Sequence, residues 1–183
     1  MTIATQTDVE ASLQRVLSAG EVVFIADLLA RADGLIALEL PDVTFAGTAR
    51  STADIAGADS FEVWLPARPV LNVVSVTVDG GELRYGYDYD WSELGDLDRT
   101  SGTRIWARTS DISVVWDHGY ETPPPDLVAV AADIVAGAIS NPSGIRQESI
   151  GQYSYTLADA TARMRVTDDQ QRTLDHYRFP VPT

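Results

Sequence analysis

Histidine and aspartate are the residues of this sequence best suited to acid–base chemistry, and few of them are adjacent in the chain. Asp117 directly precedes His118, but neighbouring residues at a strand end point to opposite sides, which makes them a poor catalytic dyad. No G-x-S-x-G elbow, Walker loop, dinucleotide fingerprint or H-E-x-x-H motif occurs. We therefore predict no enzyme activity and no catalytic residues, and interpret His118 as a turn residue that hydrogen-bonds the backbone.

An acidic stretch raises the hypothesis of a divalent-cation site. Seven acidic residues lie between Asp79 and Asp98. In an EF-hand loop that begins at Asp88, glycine should occupy the sixth position and glutamate the twelfth, whereas this sequence has Glu93 and Arg99 there. The pattern fails, so we predict a solvated acidic hairpin, no metal and no cofactor.

Tyr85, Tyr87, Tyr89 and Trp91 recur at every second residue. This spacing predicts a strand that presents all four rings on one face. Packing across a sheet is the commonest use of such a ladder. A protein interface and stacking on sugars or bases remain the alternatives.

Composition limits the classes of protein that this chain can belong to. It has 183 residues, 45% of them hydrophobic, and a net charge of −14 with no lysine and no cysteine. This acidity argues against a free-standing nucleic-acid binder, and the missing cysteines exclude disulfides and thiolate metal sites. We find neither a signal peptide nor a membrane-spanning run, and expect one intracellular domain over residues 1–183 with an extended tail at 179–183.

Hydrophobic periodicity and capping boxes predict the elements that position these residues. Capping boxes at Thr7–Glu10, Ser18–Glu21 and Thr167–Gln170 predict helices over about 8–17, 18–40 and 167–178. The apolar segment from Asp126 to about Ser140 predicts a helix that is buried on most sides. Strands are predicted at 61–65, 70–78, 103–107 and 112–116, and residues 43–60 form an irregular excursion or an edge strand.

The predicted fold class is α+β. A helical layer of about four helices packs on a small antiparallel β-sheet, because the strand connections are too short for helical crossovers. Residues 145–165 are predicted to be extended, as an interaction arm.

Several segments of the sequence match a known family in order. They are DVEA at 8–11, LSAGE at 17–21, LPARPV at 65–70, VVWDHGY at 114–120 and ESIGQYS at 148–154. In this order they resemble the head–tail connector (adaptor) proteins of tailed bacteriophages, although Trp116 stands where that family usually has tyrosine.

The resemblance implies a structural virion protein of the neck, at the head–tail junction. Such a subunit is assembled in the host cytoplasm, forms a ring of about a dozen copies and docks beneath the portal protein. It contacts a downstream neck or tail protein, and double-stranded DNA passes through its channel without sequence-specific binding. The alternatives are a head-closure stopper, a tail terminator or, less favoured, a small hydrolase.

Candidate site residues follow from this resemblance and from the charge pattern. The acidic hairpin is a candidate for the lumen or the tail-facing surface, since a like-charged wall lets DNA slide. The nearly neutral C-terminal segment is a candidate for portal docking, and the extended arm for contact with a neighbouring subunit. The hairpin residues are Asp88, Asp90, Glu93, Asp96 and Asp98; the docking residues are Arg172, Tyr177, Arg178, Phe179, Pro180 and Val181; the arm residues are Ile150, Tyr153 and Tyr155.

Overall fold

The computed structural model describes residues 2–100, 105–140, 147–150, 153–156 and 164–178, with only the backbone at 147–150 and 153–156. The chain forms two compact units. A helical unit comprises Met1–Pro41 and Pro123–Arg178, and a strand unit comprises Asp42–Thr122. The described chain contains four helices and small antiparallel sheets, so the α+β class is confirmed. A single domain over the whole chain stays a prediction.

Four helices are present in the described residues: α1 (Gln6–Leu13), α2 (Ala19–Glu39), α3 (Pro125–Ser140) and α4 (Asp168–Asp175). The boxes at Ser18–Glu21 and Thr167–Gln170 cap α2 and α4 as predicted. The first predicted box is wrong: Thr5 caps α1 through Asp8, and Gln14 ends the helix at φ 54°. The segment offers two threonines with an acid three residues on, and only the first has the geometry of an N-cap.

Helix α3 is the centre of the helical unit. It contacts α1, α2 and α4, and its apolar residues are buried nearly all round. No helix in the described segments combines the length and apolar character needed to cross a bilayer. The buried residues of α3 are Leu127, Val130, Ala131, Ala132, Ile134, Val135 and Ala136.

The strand unit holds two antiparallel sheets. One has the order β1-β7-β3-β4, built from β1 (Ala49–Ala56), β3 (Val70–Val78), β4 (Gly81–Glu82) and β7 (Asp111–His118). The other has the order β2-β6-β5, built from β2 (Glu62–Trp64), β5 (Tyr89–Trp91) and β6 (Asp96–Arg99). Both sheets contribute to one hydrophobic core, around Leu65, Val76, Leu97, Trp106 and Trp116.

Two strand predictions are wrong within the described residues. Residues 105–107 form no strand, since Trp106 makes only an isolated bridge to Ser60. The Tyr85–Trp91 ladder is interrupted by a turn at Gly86, whose φ is 75°, so only Tyr89–Trp91 is a strand. Local alternation of aromatics does not reveal a turn that depends on a positive φ.

The predicted extended arm has its own strand pairing. Strands β8 (Gln147–Ile150) and β9 (Tyr153–Thr156) pair as an antiparallel hairpin, with Ile150 opposite Tyr153 and Glu148 opposite Tyr155. Contact between this hairpin and a neighbouring subunit stays a prediction.

Candidate functional site

His118 is the last residue of β7, and its side chain is buried at 4% exposure. Its Nδ1 lies 3.0 Å from Thr44 Oγ1 and its Nε2 lies 2.8 Å from Ser51 Oγ. The prediction of a turn histidine bonded to backbone is therefore wrong, because its partners are two side-chain hydroxyls. Both partners are more than sixty residues away in sequence, where a local pattern carries no signal.

Asp117 turns to the other face of β7, as strand alternation predicts. Arg50 donates from Nε and Nη2 to the two carboxylate oxygens, at 2.7 and 2.8 Å, and this hydrogen bonding lowers the pKa of Asp117. The buried Ser51–His118 contact therefore lacks the carboxylate that orients the imidazole in a catalytic triad. The arrangement suits a structural histidine rather than a base that meets substrate.

The His118 imidazole makes stability depend on pH. Burial lowers its pKa from about 6.5, an effect that the charge of Asp117 partly opposes. The unfolded chain therefore binds a proton near pH 6.5 that the folded chain resists, and stability falls as pH drops below that value. We expect the wild-type strand unit to lose more stability between about pH 7 and pH 5 than His118→Asn does, as measured by urea unfolding at each pH. Equal losses would contradict this prediction.

The two segments that carry most of the family resemblance bind each other. The Gly119 N–H donates to Pro69 O at 2.8 Å, and Trp116 Nε1 donates to Ala67 O at 3.0 Å. The Arg68–Pro69 peptide bond is cis. Residues 65–70 and 114–120 are therefore adjacent in the strand unit. We call these two hydrogen-bonded segments the interlock.

The segment before β1 completes this interlock. The Thr44 N–H donates to Arg68 O, and Thr44 O accepts from the Tyr120 N–H, both at 3.0 Å. Gly119 lies beside it with a φ of 102°, which favours glycine. Residues 65–70 and 114–120, two of the segments that carry the resemblance, thus maintain the fold of the strand unit.

Arg68 is the buried cation of the interlock, at 5% exposure. Its Nε donates to Leu65 O at 3.1 Å, and its Cζ lies 5.0 Å from the centre of the Trp64 ring. Burial lowers the pKa of Arg68, and the negative charges of Asp42 and Asp96 oppose this shift. Burial of this guanidinium is tolerated because stacking, hydrogen bonding and nearby carboxylates compensate for the hydration that it loses.

The acidic hairpin forms part of the three-stranded sheet. Asp98 in β6 lies opposite Glu62 of β2 on one side and opposite Asp90 of β5 on the other. We name these three residues the acidic face. Burial raises the pKa of Asp98, and the charges of Asp96, Glu62 and Asp90 raise it further. Like charges directly opposite one another destabilise a sheet, so this face carries an electrostatic cost within the chain.

Other acids of the hairpin have structural roles that the sequence did not reveal. Asp88 accepts a hydrogen bond from the Arg84 N–H at 3.0 Å, and Asp96 accepts one from the Ser92 hydroxyl. Glu93 contributes its backbone carbonyl to the Val70 N–H. Within the described residues no cluster of three or more acidic or histidine side chains could hold a metal ion.

Three of the four ladder aromatics come together. The Tyr85 ring lies 5.9 Å from Tyr89 and 6.4 Å from Trp91, whereas Tyr87 is 71% exposed. Tyr85, Tyr89 and Trp91 line an open cavity of about 610 Å³ beside Asn72 and Arg84. The favoured prediction, that the ladder packs across a sheet, holds for Tyr89, which is buried, but not for Tyr87, which is exposed.

The candidate docking residues that the structure describes bind within the helical unit. The Tyr177 hydroxyl donates to Asp126 at 2.5 Å, and Arg178 contacts Glu39 at 2.9 Å and Asp175 at 3.1 Å. Arg172 pairs with Asp169 at 2.7 Å. Phe179, Pro180 and Val181 lie outside the described residues, as do the side chains of Ile150, Tyr153 and Tyr155.

Comparison with known proteins gives one informative result. No family model matches the sequence, and no curated protein matches it either. Among solved structures, a chain in the neck of an empty GTA (gene transfer agent) particle, computed with C6 symmetry, matches 99% of this chain and 92% of its own length. The two chains share a fold. The TM-score is 0.55 at 13% sequence identity, so the likeness concerns the fold.

Proposed function

We propose that this chain is a head–tail connector (adaptor) subunit, which forms a ring beneath the portal protein and joins the capsid to the tail. The observation that carries the proposal is the fold match, which extends over nearly the whole of this chain and of a particle-neck chain. The resemblance of the sequence to phage connector proteins supports the same role. No catalysis is part of the proposal, since His118 and Asp117 are engaged by Ser51, Thr44 and Arg50.

A ring requires two different complementary faces on each subunit, because its contacts are head-to-tail. The chain has two compact units of different chemistry, one helical and one stranded. A ring of about a dozen copies is compatible with the six-fold symmetry used for the neck of the GTA particle. The β8–β9 hairpin offers strand edges to which a neighbouring copy can add.

The C-terminal tail is our candidate for portal docking. Tyr177 contacts Asp126 and Arg178 contacts Glu39, so a truncation that starts at residue 179 keeps all four of these side chains. Phe179-Pro180-Val181-Pro182 is an apolar sequence with restricted backbone freedom, suited to binding in a groove.

Mixing the purified protein with portal rings tests both parts of the proposal. We expect electron microscopy to show a stoichiometric collar on the portal with the full chain, and none with the chain truncated after Arg178. Absence of a collar with the full chain would overturn the connector function. A collar that forms equally well with the truncated chain would overturn only the docking role of the tail.

We further propose that the acidic face lines the DNA channel, where negative charge prevents DNA from adhering. The variant Glu62→Gln/Asp90→Asn/Asp98→Asn should be more stable than wild type in urea, by roughly 0.5 kcal/mol or more, because like-charge repulsion is removed. Particles that carry it should eject DNA more slowly in a fluorescence ejection assay.

The control variant Asp54→Asn/Asp111→Asn/Glu121→Gln removes the same charge from exposed positions outside the acidic face. It should eject DNA at the wild-type rate. Equal ejection by both variants would contradict a channel role for the acidic face, whereas the stability gain tests the sheet geometry separately.

A further inference from the structure

Helix α2 is apolar on two opposite sides, and among the described residues only one of these sides is covered. The covered side packs on α3. The other side is exposed and still apolar: Val23 is 73% exposed, Phe24 61% and Leu38 79%. A surface helix normally turns polar residues to water, so an exposed apolar face of this extent indicates a binding surface. The residues on the covered side are Ile25, Leu29, Ala32 and Ile36.

The exposed face has a spacing that is symmetric about its centre. Val23, Ala26, Ala30, Gly34 and Ala37 are separated by 3, 4, 4 and 3 residues, and all five are exposed. In an antiparallel pair of such helices, Ala30 lies against Ala30, Ala26 against Gly34, and Val23 against Ala37. The face is therefore complementary to itself when one copy is reversed.

Gly34 is informative because no contact among the described residues requires a glycine there. It lies in the interior of α2, and a Cβ added there would meet no atom of the described residues within 4 Å. Glycine lowers the stability of a helix relative to alanine. Close approach of a second backbone is a reason to keep glycine at such a position, and in the antiparallel pair Gly34 receives only Ala26.

The residues on one flank of the face are complementary in the same arrangement. Asp27 and Arg31 form no ion pair within the described part of the chain. When one helix is reversed, the Asp27 of each copy lies beside the Arg31 of the other, which gives two such pairs. The same arrangement places Phe24 beside Leu38. A parallel two-fold pair would instead bring this flank against the opposite flank of the other copy, so Asp27 and Arg31 would not meet.

We propose that the exposed face of α2 binds a second copy of this chain, as an antiparallel two-fold pair centred on Ala30. A two-fold contact uses the same patch on both copies and closes as a dimer, whereas ring contacts are head-to-tail. The α2 pair is therefore separate from the ring contact of the proposed function, and it can exist in the isolated protein.

Engineered cysteines test the geometry without interference, since the chain contains no cysteine. Under mild oxidation, Ala30→Cys should form a disulfide-linked dimer, whereas Ala37→Cys alone should not. A mixture of Val23→Cys and Ala37→Cys proteins should form the mixed dimer. Self-linking of Ala37→Cys as fast as Ala30→Cys would overturn the antiparallel arrangement, and no linking at any of these positions would overturn the pairing.

Charge exchange tests the same contact in solution. Sedimentation velocity should show a concentration-dependent dimer for the wild type. Arg31→Asp should weaken dimerisation by roughly tenfold or more, and Asp27→Arg/Arg31→Asp should restore it. Gly34→Leu should also abolish the dimer while the far-ultraviolet circular dichroism stays that of the folded chain. A monomeric wild type, or failure of the double variant to recover, would overturn the proposal; neither outcome bears on portal binding.

Discussion

Replacing Gly119 by alanine is expected to destabilise the strand unit by roughly 3 kcal/mol or more. The Gly119 φ of 102° is one that side-chain-bearing residues rarely adopt. An added Cβ would also lie 2.7 Å from Gly47 O and 2.9 Å from Thr44 Cγ2, so backbone must move to admit it. Tryptophan fluorescence in urea measures this unit selectively, because all four tryptophans lie in it. They are Trp64, Trp91, Trp106 and Trp116.

Gly86→Ala is the matched control for this prediction. Gly86 also has a positive φ, 75°, but a Cβ there meets no atom of the described part of the chain within 4 Å. Its cost should be limited to the backbone preference, about 1 kcal/mol. If Gly119→Ala lowers the free energy of unfolding no more than Gly86→Ala does, close packing around Gly119 does not stabilise the strand unit.

Arg68→Ala is expected to cost roughly 3 kcal/mol in the same assay. The variant loses the stacking on Trp64 and the hydrogen bond to Leu65 O, and leaves a cavity where the guanidinium was. It also removes the positive charge that faces Asp42 and Asp96. The strand unit should therefore unfold at a clearly lower urea concentration.

Two further variants separate charge from shape at this position. Arg68→Lys keeps the charge but loses the planar stacking, and should recover only part of the stability. Arg108→Ala removes an exposed arginine whose contact to Asp59 is 3.6 Å, and should cost no more than about 0.5 kcal/mol. A loss at Arg68 as small as at Arg108 would contradict the role of the buried guanidinium.

Elements with strong local signals could be predicted from the sequence. The β-branched run at 70–78 gave β3, the capping residues Ser18 and Thr167 gave the starts of α2 and α4, and the apolar segment gave α3. For α2, α3 and α4 the capping or apolar residues lie within the segment itself. Strand β3 is recognised by its β-branched residues, although its partner β7 is distant in the sequence.

Elements that depend on distant partners could not be predicted. Strand β6 reads Asp-Leu-Asp-Arg and has poor strand propensity, and it exists because β2 and β5 pair on both its sides. The hydroxyl partners of His118 likewise come from remote segments.

The candidate site shows the same division. The alternation of Asp117 and His118 across β7 was predictable, whereas the pairing of Asp98 with acidic residues on both sides was not. Asp88 accepts from the Arg84 N–H and Asp96 from the Ser92 hydroxyl, and neither of these partners could be read from the pattern of acidic residues.

Localisation of this chain within finished particles tests the central claim most directly. Particles purified from a strain that encodes a tagged copy can be labelled with gold and imaged, with subunit mass spectrometry of the same sample. We predict one gold cluster at the head–tail junction and about a dozen copies per particle. A chain that is absent from particles, or labelled along the capsid or the tail, would contradict the account.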